Sequence, residues 1–212
     1  MTRISRMILA AVPAIFFAGT VDDAKAAYGS SPDWPCIQRE VPQISAGMVW
    51  PGDPLDAEDR SWLQNQAVAN VVQKLASRRN SVEDALKIAD EFAANLEENR
   101  KDTLEAVFIG TLQRVNAERR QVVAGIKRYA RRQAALADLI REKSLEEARL
   151  VSQSPKTDDE KQRLVDLSEE IAWDTRVYEE REQSLTYVCE TAVLLEQRLF
   201  QIGRHMSGLI KQ

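Results

Sequence analysis

Few side chains in this sequence have the type and spacing that chemistry requires. The single histidine, His205, stands beside Met206. Imidazole next to thioether is a donor pair suited to haem or a soft metal ion. A haem held in a helical bundle takes its axial ligands from two helices. The only other methionine beyond the first few residues, Met48, lies in a proline-rich tract. A di-iron centre needs two Glu-x-x-His motifs, and the chain has none. There is no Gly-x-Ser-x-Gly elbow to expose a nucleophilic serine, and the eight glycines are too scattered to cradle a phosphate. The expectation is therefore a non-enzymatic protein with no cofactor and no metal site. His205 reads as a partly exposed residue whose charge suits a helix C-terminus.

Two cysteines remain. Cys36 has no histidine near it in sequence to raise its thiolate fraction. An even pair in an oxidising compartment reads as one disulfide, Cys36–Cys189. It closes a loop of 153 positions, which on the chain-entropy model is worth up to about 5 kcal/mol.

The compartment follows from the N-terminus. Arg3 and Arg6 form a positive start, Ile8 to Ala18 is an apolar run, and Ala24-Lys25-Ala26 offers a small-x-small cleavage site. Residues 1–26 thus read as a secretory signal peptide, too short to span a bilayer. With no Arg-Arg pair, the general export route is expected, delivering the chain to the periplasm with no integral membrane segment after cleavage. The remaining 186 of 212 residues suffice for one domain with a core. Charged residues make up 29% and aromatics 6%, a mixture that favours long exposed helices over sheets. A formal charge of −4, together with an extracytoplasmic address, argues against a nucleic-acid partner.

One charged run stands out. Arg119 to Arg132 contains Arg119, Arg120, Lys127, Arg128, Arg131 and Arg132, while Glu169, Glu170, Asp174, Glu179, Glu180 and Glu182 occupy a similar length nearer the C-terminus. The basic run could meet anionic lipid or an acidic partner. The favoured reading is that opposite charges on two helices fix their orientation and register.

These residues need elements to position them. Residues 27–55 hold Pro32, Pro35, Pro42, Pro51 and Pro54, five of the seven prolines, with Trp34 and Trp50. Proline lacks an amide donor and biases its predecessor away from helix, so this tract is expected to be an extended strap. Trp34-Pro35 is expected to cap the core of the helices. The helical part, 56–212, is expected to start at an Asp56 N-cap, with Leu63, Ala67, Val71 and Leu75 as its first stripe. Ser81 begins a second helix through a Ser-x-x-Asp variant of the capping box, with Val82, Leu86, Ala89, Ala93 and Leu96 apolar. A polar turn follows at 97–102.

Two long helices complete the chain, separated at Pro155, with Thr157 and Glu160 as a capping box. The first carries Phe108, Leu112, Val115, Arg119, Val122, Ile126, Tyr129, Gln133, Leu136, Ile140, Lys143, Glu147 and Leu150. The second carries Leu164, Leu167, Ile171, Asp174, Tyr178, Arg181, Leu185, Val188, Ala192, Leu195, Leu199, Ile202, Met206 and Leu209. Both follow an unbroken heptad. Folding them antiparallel about the proline pairs residues whose numbers sum to 310 or 311. The fold class expected is all-α: a four-helix base extended by a long antiparallel coiled-coil hairpin, its tip near 152–157.

Leu150, Val151 and Pro155 would leave apolar surface at that tip. The functional expectation is an exported helical scaffold or adaptor that docks another envelope protein through the hairpin, with self-association as a further option. The alternative is a periplasmic chaperone or a subunit associated with secretion or a pilus. A cofactor-binding bundle ranks last.

Overall fold

The computed structural model describes residue 31 and residues 33–211. The signal-peptide expectation at 1–26 and the strap residue Pro32 lie outside the described residues. Within them, all regular structure is helical. A single turn, α1 (Ala46–Val49), is followed by a 3₁₀ turn at Ser61–Leu63. Then come α2 (Gln66–Ala76), α3 (Val82–Ala94), α4 (Arg100–Ser152) and α5 (Asp158–Ile210).

The two 53-residue helices α4 and α5 pack against each other as a hairpin, each roughly 80 Å long at the helical rise. The bend at 153–157 is made as the sequence implies. Ser154 takes a left-handed φ of 53° before Pro155. The Thr157 hydroxyl accepts from the Glu160 amide, and the Glu160 carboxylate accepts from Lys156 and Thr157 amides at 2.8 and 3.0 Å. At the other end Asn99, with φ of 50°, turns α3 into α4.

The register agrees with the expected layers. The Tyr129 hydroxyl donates to the Arg181 carbonyl at 2.5 Å, and the Gln133 amide to the Tyr178 carbonyl at 3.1 Å. Arg119 reaches the Ala192 carbonyl. Lys143 differs in detail. Facing Leu167, its ammonium turns aside to Asp174 at 2.7 Å and Glu170 at 2.9 Å.

Helices α2 and α3 lie against the lower part of the hairpin and close the main core. Phe108, Leu75, Leu104, Leu112, Leu195, Leu199, Ile202 and Met206 are almost wholly buried there. Arginine carbonyl contacts lock the layers. Buried Arg198 donates to the carbonyls of Leu75 and Asn80, at 2.9 and 2.8 Å, so it caps the end of α2. Arg100 joins the end of α3, through the Ala93 carbonyl at 2.6 Å, to the end of α5, through Leu209 at 3.1 Å.

Three expectations about the elements are corrected. The first helix begins at Gln66, capped by the Asn65 side chain, rather than at Asp56. Asp56 and Asp59 instead accept from the amides of Glu58 and Ser61 two residues on, closing local turns that compete with helix. Leu63 is consequently exposed, and Trp62 is the residue buried there. The strap is not extended throughout, because Ala46–Val49 makes one helical turn against α5. Ser81 caps α3 through the Asp84 amide at 3.0 Å, but its hydroxyl donates to the Asp84 carboxylate, so the reciprocal backbone bond of a full capping box is not made.

Candidate functional site

The strap is tied to the hairpin along one side. Cys36 and Cys189 form the disulfide, with Cα atoms 5.7 Å apart. Trp34 covers it and donates its indole N–H to the Gln38 carbonyl at 2.6 Å. Trp34, Cys36, Val123, Ile126 and Cys189 make a small apolar cluster of their own. Trp34 therefore seals the disulfide rather than capping the main core, and neighbouring Pro35 is exposed. The tryptophans in the main core are Trp50, stacked on Phe108 at 4.6 Å, and Trp62, whose indole donates to Gln113 at 2.9 Å.

Further along, Asn116 pairs with both backbone groups of Ile44, accepting at 2.8 Å and donating at 2.9 Å. Arg119 donates to the Val41 carbonyl at 2.7 Å. Burial lowers the proton affinity of its guanidinium, with Glu196 opposing. Lys127 pairs with Glu40 at 2.9 Å and Arg131 with Asp33 at 2.8 Å. Three members of the basic run, Arg119, Lys127 and Arg131, thus contact the strap, and among the described residues none of the run forms an ion pair with the Glu169 to Glu182 stretch expected to set the hairpin register. The run's ion pairs go to the strap, apart from Arg119 with Glu196. The strap's own Asp33, Glu40 and backbone carbonyls are the nearer partners. In the sequence those cations are matched to anionic lipid, an acidic partner or the acidic stretch of α5, and not to the strap.

The strap and α5 enclose a groove of about 490 Å³ lined by apolar side chains including Trp34, Val41, Met48, Val193 and Phe200, with Arg119 and Glu196 in its wall. Met48 is half exposed on its rim. His205 is remote from Met48 in role: its imidazole meets Asp90 of α3 at 2.6 Å, while Met206 is fully buried in the core. The structure does not bring His205 and Met206 together as a ligand pair.

At the far end, α4 and α5 run beyond α2, α3 and the strap as a bare pair. Val151 is 55% exposed at the bend, with Leu150 and Pro155 half-buried. Leu145 before the bend and Val165 after it are also exposed. Among the described residues no helix is long and apolar enough to cross a membrane. Comparison with protein-family models, curated proteins and solved structures returns no match to this chain.

Proposed function

We propose that the protein is an exported, non-enzymatic scaffold or adaptor of the cell envelope, whose hairpin tip docks a partner protein. The observation that carries this reading is the form of the molecule. A base cross-linked by Cys36–Cys189 and laced by Asn116, Arg119 and Lys127 holds out a two-helix shaft with Val151 exposed at its end. Rigid presentation lowers the ordering cost of docking at the tip. The disulfide and the sequence of the leader together support a periplasmic address, and the heptad spacing supports coiled-coil packing in the shaft.

The test is a pull-down from envelope extract with wild type and a Leu150→Asp/Val151→Asp variant. Loss of the recovered partner with helicity unchanged is expected, and equal recovery by both would remove tip docking. A chaperone or secretion-associated subunit is the second reading, supported by the apolar groove beside Phe200. Suppression of client aggregation by wild type and its loss in Phe200→Asp, followed by light scattering, would favour that alternative.

A further inference from the structure

The two sides of the shaft are not alike. The strap covers one side of the α4–α5 pair, at Asn116, Lys127, Cys189 and Gly203. Helices α2 and α3 cover the other side of the base, and their cover stops where Arg198 caps α2 and Arg78 pairs with Glu118 at 2.5 Å. Above that step the second side is open. On it α5 displays Trp173, Tyr187 and Leu194, 63%, 74% and 60% exposed, spaced at multiples of seven so that all three share one heptad position. Exposed Leu139 joins them from α4. Exposed Glu180 interrupts the series, but three of its four positions from 173 to 194 are large and apolar where charge is ordinary, and that marks a contact face.

Charge on the same face identifies what covers it. Along the middle of the α4 edge, Arg128 and Arg132 lie toward the base and Glu142 toward the tip, all exposed, with exposed Arg149 beyond them at the bend. The central stretch, basic on its base side and acidic on its tip side, complements an identical stretch laid against it in reverse. Shape demands the same reversal. Two copies pointing the same way would drive their α2–α3 layers into each other, whereas opposed copies let each tip rest above the other's step. The open face is roughly 50 Å long and two helices wide, offering about 900 Å² per copy against the ~800 Å² a stable interface needs.

We propose that this face is a self-association surface on which a second copy of the chain packs with its hairpin reversed. It stands independently of tip docking. Sedimentation of the mature, disulfide-intact protein over a range of concentrations tests it. A monomer–dimer equilibrium is expected for wild type. Arg128→Glu and Glu142→Arg should each weaken the dimer about tenfold or more, and the double reversal should restore it. Trp173→Glu should abolish it with helix content unchanged. A wild-type chain that stays monomeric at its highest soluble concentration, whether bare or with some other protein on this face, overturns the proposal. So does a dimer indifferent to Trp173→Glu and to both charge reversals, or one that the double reversal fails to rescue.

Discussion

At the scale of single residues, the side chains that decide the base are arginines and a glycine. Arg198 is buried with one donor on the Leu75 carbonyl at the end of α2 and another on the Asn80 carbonyl in the turn that follows. Replacing it by methionine keeps the stem's packing and orphans those acceptors, so a loss of about 1–3 kcal/mol is expected in urea unfolding. Gly203 marks where α5 meets the strap. A Cβ there would lie 2.1 Å from the Val49 carbonyl oxygen, and backbone on both sides leaves little room to yield. Gly203→Ala should cost about 1–3 kcal/mol, while Gly208→Ala, with nothing within 4 Å, should be neutral or stabilising by a few tenths of a kcal/mol. Equal effects at the two sites would contradict the close approach. Neither role was legible in the sequence. Arg198 sits one residue before a seam leucine and looks like any charged flank, and a helical glycine says nothing of what passes over it.

Elements show more of their causes in the sequence. The bend of the hairpin was readable from Pro155, Thr157 and Glu160, because turn and capping chemistry is local. Its pH response follows. Backbone N–H bonds from Thr157 and Lys156, with the Thr157 side chain, hold the Glu160 carboxyl below its usual range. A depressed folded pKa means the contribution to stability is full above the ordinary glutamate value and fades as pH falls through the lowered one. The amide resonances of Lys156 and Thr157 should titrate with that lowered midpoint, and should be flat in Glu160→Gln. A midpoint at the ordinary glutamate value would show the cap to be open in solution.

The start of α2 was misread because Asp56 and Asp59 make equally good caps for isolated turns. What separates the two outcomes is the burial of Trp62 against α4, a contact about 50 residues away in the chain. The strap's path was half legible. Its cysteine pair was, since two thiols in a chain expected to be exported leave one solution, but its ion pairs to Lys127 and Arg131 were not. Because those contacts do not involve the sulfurs, Cys36→Ser/Cys189→Ser should lose about 2–4 kcal/mol yet keep its helical circular dichroism. Collapse of helicity in the double serine variant would show that the disulfide alone holds the strap.

At the scale of the whole molecule, the two heptads made the antiparallel hairpin legible in the sequence, and the bend at Pro155 chose its layers, because strict heptads alone admit a slip of seven residues. The division of the shaft into a strapped side, a side covered by α2 and α3, and an open remainder was not legible. It depends on where the short helices and the strap stop. The proposed docking tip and the open face both rest on α4 and α5 lying head to tail through the middle of the shaft.

Spin labels at Ala137 and Thr175, with the native disulfide intact and the sample diluted in unlabelled protein, measure that arrangement by pulsed electron resonance. The reversed pair places them within roughly 20 Å of each other, neighbours across adjoining helices. A separation near 57 Å, the length of 38 residues of uninterrupted helix, would mean that the chain does not fold back at Pro155.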